Sequence, residues 1–514
     1  APGSCGDVGE AWLDSDSTNT SAFLYWCTAT TPTWTAVAMS SGTSVPASCV
    51  ATAAGPYFYD TDEADAHLRV SICDPAGYYV ARYIGAAPGA VTGWAALAPD
   101  ANAHHYYIRG VRIEAPRMPS SYTDLLPTTT GNARQTVPFH RCLSYSAASN
   151  ATMVWDRVYF DAIGYPQRSG DAMCFANGTN IAIINSYFNQ VNAWATTTSV
   201  EYTPNAIFLS ETGGPLLVEN NYFYNPHGIT VFHSDDNATA MVSDVTIRRN
   251  TVWEDPADNC SGLTTNSHCY WRRHQTELKR GQRWLIEGNS YQGGWPASTS
   301  GATIALTPRA GASASNVGIL DIDIRHNLIA YSPQPFLITG HNDYATYQNL
   351  ASNRIAITSN VMYSSGTASD GSQDGWPYGA DFDGQTMNLG LGMQNLKVSN
   401  NAIILPTSKS ANANMMSHAA EWAPYPNSRV QAVSNIYTVL GGTNNAGYWG
   451  IQTSSSNLGT ASLNISWLSG GAASYLVTGN AMQIFFNGAF EDTAPYPSGN
   501  YRNATASNFT NALY

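Results

Sequence analysis

The sequence predicts an all-β chain, a parallel β-helix (solenoid) of about ten coils with a small disulfide-stapled N-terminal β-module. Three observations predict it. A short strand that ends in asparagine recurs along the chain, a second series of short strands runs between its copies, and no helical 3.6-residue period persists.

The recurrent strand reads "VTIRRNTVWE" at 245–254. Its relatives are "LLVENNYFYN" at 216–225, "WLIEGNSYQG" at 284–293, "IDIRHNLIAY" at 322–331 and "IAITSNVMYS" at 355–364. The shared core is apolar-x-x-Asn-x-apolar. It aligns Asn221, Asn250, Asn289, Asn327, Asn360, Asn401 and Asn480, with Ser186 and Arg157 in the same place earlier and Ile436 in a weaker later copy. Irregular spacing around a fixed strand means one coil per repeat, with insertions in the loops. The asparagine then belongs at a coil corner, where its amide satisfies turned-out backbone groups and bonds the next asparagine in a structural ladder.

The second series includes "DAMCFANG" (171–178), "NAIFLSETG" (205–213), "GITVFHSDD" (228–236), "QTELKRG" (275–281), "ATIALTPRAG" (302–311) and "PFLITGHND" (335–343). Each is short, apolar or alternating, and closed by turn residues. Stacked coils place like strands about 4.8 Å apart.

The helix is expected over 96–490, with 491–514 as a C-terminal tail or cap. Residues 1–95 lack the asparagine step and hold four of the eight cysteines. They read as a β-module that caps the first coil, binds sugar through Trp26 and Trp34, or contacts another molecule. Capping is the plainer reading, because a solenoid end is an exposed edge. The even cysteine count, without metal-type spacing, points to disulfides in an oxidising compartment. Sequential pairing is expected: Cys5–Cys27, Cys49–Cys73, Cys142–Cys174 and Cys260–Cys269.

Only 11% of the 514 residues are charged, and the net charge is −13. That excludes nucleic acid and anionic membrane as natural partners. No stretch is long and apolar enough to span a membrane. The opening "APGSC" reads as a mature secreted chain, extracellular or on the cell surface.

The segments "AHHYYIRGVRI" (103–113), "ELKRGQRWLIEGNSYQGGW" (277–295) and "IALTPR" (304–309), with the asparagine steps, resemble secreted bacterial parallel β-helix proteins of the pectate-lyase-like superfamily. The resemblance covers about 100–405, and more loosely to 490. It implies a right-handed helix of three sheets. That superfamily includes many polysaccharide lyases and glycoside hydrolases, but the close group to which these motifs point has no settled activity, so fold does not deliver function.

Candidate chemistry sits where the second strand series ends. There the chain lines up Glu211, then His233 with Asp235 and Asp236, then Glu277 with Lys279 and Arg280, then Arg309, then His341 with Asp343. Leu278 should point inward, so Glu277 and Lys279 both face out. Read functionally, this column is a glycan groove. Glu211, Asp235 and Glu277 are candidate acid/base groups for hydrolysis, while Lys279 and Arg309 suit a lyase acting on a uronate. Read structurally, Asp235, Lys279, Arg309 and Asp343 form a surface ionic ladder worth about 0–1 kcal/mol per pair. No cofactor is expected. The one candidate metal is Ca²⁺ at Asp235 and Asp236, and two carboxylates are few for an ion that takes six to eight oxygens.

Two functions follow. The first is a secreted structural protein that self-associates into a filament, sheath or adhesive layer, with itself as partner. The second is a polysaccharide-binding or polysaccharide-degrading β-helix protein with an extracellular glycan as partner. The residues leave open whether the chain is an enzyme.

Overall fold

The computed structural model describes the coil residues 106–110, 112–114, 153–161, 172–175, 179–189, 205–209, 213–226, 229–233, 241–254, 274–293, 302–308, 318–330, 332, 334–340, 351–363, 387–389, 393–406, 417–418, 429–440 and 475–482. It also describes strand backbone at 11–14, 23–28, 33–41, 57–59, 72–73, 79–82, 95–99, 144–146, 485–486, 489–490 and 501–502. Among the described residues every regular element is a strand, and no helix is long and apolar enough to cross a membrane.

The chain forms two compact units, Ala1–Val231 and Phe232–Tyr514. Each repeats three strands in a fixed order, and each strand pairs in parallel with its counterpart one coil away, so the fold is a parallel β-helix. In the first unit the first strands include Met173–Phe175 and Asn205–Leu209. The second strands run through Met153–Asp156, Ile181–Ile184 and Leu216–Glu219. The third run through Tyr159–Asp161, Tyr187–Asn189 and Tyr222–Tyr224. In the second unit the first strands begin Thr276–Leu278, Ala302–Leu306, Gln334–Ile338. Its second strands run Ser243–Arg248, Gly281–Glu287, Ile319–Arg325, Asn353–Thr358, Gln394–Ser399, Val430–Val433. Its third strands begin Thr251–Trp253, Ser290–Gln292, Leu328–Ala330, Val361–Tyr363.

Near the N-terminus the pairing changes. Ala11–Asp14, Phe23–Thr28 and Thr33–Ser41 pair antiparallel, as do Ile72–Cys73, Tyr79–Arg82 and Ala95–Pro99. Cys5, Cys49, Cys142, Cys260 and Cys269 lie outside the described residues, so every expected disulfide has at least one partner there.

Alternation along the strands builds the core. Trp284, Ile322, Ile355 and Leu396 fall in one register column, and Ile286, Ile324, Ile357 and Val398 in the next. All eight are buried. Each is worth roughly 1.5–3 kcal/mol against exposure, which outweighs any surface pair in this chain. In the first unit Phe160, Phe188 and Phe223 stack with centroids 4.9 and 4.6 Å apart, the spacing of the coils themselves.

The corner asparagines form a closed hydrogen-bond chain in the second unit. The Asn289 backbone N–H and side-chain Nδ2 both donate to Asn327 Oδ1, at 2.9 and 3.0 Å, and Nδ2 also donates to the Ile247 carbonyl at 2.9 Å. The pattern repeats from Asn250 to Asn289, Asn327 to Asn360, Asn360 to Asn401, Asn401 to Asn435 and Asn435 to Asn480. In the first unit Asn221 accepts from the Ser186 backbone, and Ser186 Oγ accepts from Val158 N–H.

Two alignments are corrected by this geometry. Asn435, not Ile436, is the rung between Asn401 and Asn480, and Val158, not Arg157, stands opposite Ser186. The cause is the residue before each rung. Asn185, Asn220, Arg249, His326, Ser359 and Ser434 all have φ between 51° and 57°, and Gly288 and Gly479 have 65° and 68°. Arg157, at φ 54°, is one of these left-handed residues. The motif is thus a left-handed residue followed by a rung, a turn that inserts one residue and sends the rung inward.

Candidate functional site

The segment 274–280, "HQTELKR", carries the first strand Thr276–Leu278 of the second unit. Seven consecutive residues are buried, and only Leu278 is apolar: Glu277 and Arg280 are fully buried, Lys279 is 3% exposed. Register explains the inner half. Thr276 and Leu278 fall in the columns of Ile304, Phe336 and of Leu306, Ile338, which line the core. Glu277 shares the opposite face with Ala305 and Leu337. Glu277 and Lys279 therefore do lie on the outward face, but they are sealed from water, which the expectation of an open groove did not include.

The three polar groups there close a triangle. The Lys279 ammonium donates to Glu277 Oε1 and to Thr307 Oγ1 at 2.6 Å. Thr307 Oγ1 donates to Glu277 Oε1 at 3.1 Å. Thr307 is held beside Lys279 because its backbone N–H bonds to the Leu278 carbonyl at 3.0 Å. Removing a carboxylate and an ammonium from water costs several kcal/mol each, which pairing only offsets. In a chain with so little charge, a buried pair on the outer face is a functional candidate rather than an economical way to stabilise a sheet.

A second buried network surrounds the start of the strand. Gln275 Nε2 donates to Glu254 Oε1 at 3.2 Å and to the Gly293 carbonyl. Thr276 Oγ1 and Tyr291 Oη are 3.3 Å apart. Burial pushes the Tyr291 phenol up to about 12 against a smaller opposing effect of the Thr276 bond, so it stays neutral near pH 7 and is no base. His274 Nδ1 accepts from the Ala302 N–H at 3.2 Å, which fixes the proton of the neutral ring on Nε2.

The exposed charges on the second strands are organised separately. Arg283 grips Asp244 with Nε and Nη2 at 2.6 and 2.8 Å. Arg354 grips Asp321 the same way, with Nη2 at 2.7 Å. All four have left-handed backbones, φ 55–60°, at the start of their strands. Arg325 Nε reaches Glu287 at 2.8 Å and Nη1 reaches Asp323 at 3.2 Å. Among the described residues these pairs form a surface ionic ladder on the second strands. Of the ladder expected through Asp235, Lys279, Arg309 and Asp343, only Lys279 lies among the described residues, and there it meets Glu277.

Of the sequence candidates, Glu277, Lys279 and Arg280 are described together. Glu211, Asp235, Asp236, Arg309, His341 and Asp343 lie outside the described residues, and His233 ends the strand Ile229–His233 with its side chain outside them. The proposed Ca²⁺ pair is therefore untouched by the structure. Sequence reasoning missed Thr307. Its signal is the alignment of "TELK" with "IALT", which puts Thr307 one coil from Lys279. Glu254, Gln275 and His274 were also missed, since nothing in a lone Glu or Gln announces a buried network.

No known family model matches the chain, and no curated protein matches it. Among solved structures it is similar to an alginate lyase from Paenibacillus sp. str. FPU-7, at 11% identity and TM-score 0.30 over 67% of this chain and 98% of that one. It is similar to DFA-IIIase from Arthrobacter chlorophenolicus A6 at 10% identity and TM-score 0.36, over 78% and 88%. A tailspike protein double mutant of E. coli bacteriophage HK620, solved in complex with pentasaccharide, gives 12% and 0.36 over 76% and 61%. Likenesses this distant leave the fold resting on strand pairing, and function on the chemistry of the site itself.

Proposed function

We propose that the chain acts on an extracellular polysaccharide, with Glu277, Lys279 and Thr307 as its reacting centre. The observation that carries this is the buried carboxylate–ammonium–hydroxyl triangle on the outward face. Among the described residues this cluster holds one carboxylate, whereas hydrolysis uses two. Elimination on a uronate fits it better. Glu277 takes the proton from C5, the C4–O bond breaks as C4=C5 forms, and Lys279 protonates the departing oxygen. Direct contact between the pair then lets Glu277 return the proton to Lys279. Glu277 is fully buried, so this reading requires the polymer to displace what covers the triangle; once it is seated, water exclusion strengthens these charges.

The test is a panel of uronate polymers, read by ultraviolet absorbance of unsaturated products. Glu277→Gln and Lys279→Met should each slow product formation by about a hundredfold or more. No product from any polymer, or undiminished product from both variants, sinks the reading. Stability gives a second arm. Glu277→Leu combined with Lys279→Met should keep or raise the urea midpoint, since apolar replacement of a buried pair is often neutral or stabilising. A large fall would assign the pair to structure.

The self-associating reading keeps one observation of its own. Leu328 and Val361, 39% and 36% exposed, stand side by side on adjacent third strands. If that face joins two copies, Leu328→Lys should dissociate the assembly in sedimentation. A concentration-independent monomer removes this reading.

A further inference from the structure

The outward face of the second strands in the second unit changes character along the stack. Over Ser243–Arg248, Gly281–Glu287 and Ile319–Arg325, acids answer bases through the Asp244–Arg283 and Glu287–Arg325 pairs. Arg354 still reaches back to Asp321. Beyond that, the described residues of Gln394–Ser399, and of Val430–Val433 with the preceding Arg429, carry Lys397 and Arg429 and no carboxylate. Both cations are exposed, as are Gln394 and Gln431.

We infer that this face, centred on Lys397 and Arg429, binds an anionic polysaccharide carrying carboxylate or sulfate groups. It lies on different strands from the Glu277 cluster and does not rest on the activity proposed there. Three features support it. The first is charge: the chain is −13 overall, so two cations with no acid among the described residues of their strands stand against the trend of the molecule. The second is an amide array already held in place, with Asn395 Nδ2 donating to Asn353 Oδ1 at 2.8 Å. Next to it Gln394 and Gln431 offer donors and acceptors for sugar hydroxyls. The third is placement. Lys397 pairs in register with Gln431, so Arg429, two residues before Gln431, lies at the start of the adjacent strand and diagonally across from Lys397. Two exposed cations set diagonally on neighbouring strands, with amides between them, suit an extended polymer that lays successive anionic groups across the strands. It offers little to a compact anion.

Affinity gel electrophoresis of the full chain tests this, with polygalacturonate, dextran sulfate or neutral dextran in the matrix. Because the protein is itself acidic, non-specific attraction does not retard it. Retardation by the two anionic polymers and not by neutral dextran, weakening as salt rises, is expected. Lys397→Gln with Arg429→Gln should weaken it about tenfold, on the scale of two exposed ion pairs. Lys397→Glu with Arg429→Glu should abolish it at an unchanged urea midpoint, and Glu277→Gln should leave it intact. The inference is overturned if neutral dextran retards equally, if the Lys397/Arg429 variants bind like the native chain, or if duplex DNA binds as well as polygalacturonate. It is also overturned if binding falls with Glu277→Gln instead, or if the charge variants only disperse a dimer.

Discussion

At the scale of single residues, two roles alternate along this chain. Asn327 makes four side-chain hydrogen bonds: Oδ1 accepts twice from Asn289, and Nδ2 donates to Asn360 and to the Ile286 carbonyl. Deleting that amide strands buried donors and acceptors on both neighbours, at about 1–3 kcal/mol per group. Asn327→Ala should therefore lower the urea midpoint markedly. Asn327→Ser should cost less, because Ser186 fills the same place with a hydroxyl that accepts one backbone bond. If the two variants are equal, the ladder is not what holds the corner. The residue before a rung obeys a different rule. Ser359, at φ 56°, pays for its Cβ in a left-handed backbone, so Ser359→Gly should be neutral or stabilising by up to about 1 kcal/mol, and Ser359→Val destabilising. Thermal melts of the pair check the sign. The asparagine positions are legible in the sequence as a repeated letter. The left-handed positions are not, since Arg, Asn, His, Ser and Gly all occupy them.

At the scale of elements, the second strands of the second unit join a tight core face to a charged outer one. Gly281 shows how tight. A Cβ there would stand 2.7 Å from Trp284 Nε1 and 2.9 Å from the Val242 carbonyl, and the indole N–H donates to that carbonyl at 3.1 Å. Gly281→Ala should thus cost about 1–3 kcal/mol, as overpacking does, with a blue or red shift of Trp284 fluorescence reporting the displaced indole. On the outer face, the bond from Arg283 holds Asp244 below the ordinary carboxylate range, and the bond from Arg354 does the same to Asp321. For Glu287 burial works the other way, but Arg325 and His326 outweigh it. The sign follows. These groups lose their protons more readily folded than unfolded, so their contribution is present above the unfolded Asp value of about 3.9 and is lost as pH falls through the lower folded values. The urea midpoint of the native chain should fall over that acid window. Asp244→Asn with Asp321→Asn should lower the midpoint slightly at pH 7 and flatten the acid fall by that same small amount, because what protonation removes is what these exposed pairs contribute. An unchanged acid limb would move the cause elsewhere.

At the scale of the whole molecule, the described strands of each coil pair with those of the coils beside it, so stability is approximately a sum of neighbour terms. Hydrogen exchange in Asn327→Ala should therefore rise in Gly281–Glu287 and Asn353–Thr358, and hardly at all in Ile181–Ile184. A uniform rise along the chain would contradict that picture. The parallel β-helix and its strand order were determined by the sequence itself, because a core repeated once per coil writes the same apolar columns again and again, as Ile286, Ile324 and Ile357 do. Which loop-side charges meet was decided only by tertiary structure. Lys279 faces the same way as Glu277 by simple alternation, and so was legible as an outward residue. That the pair is sealed from water and closed by Thr307 depends on the register of a strand 28 residues further on. Charge pairing in three dimensions follows from register and burial, and neither has a letter of its own in the sequence.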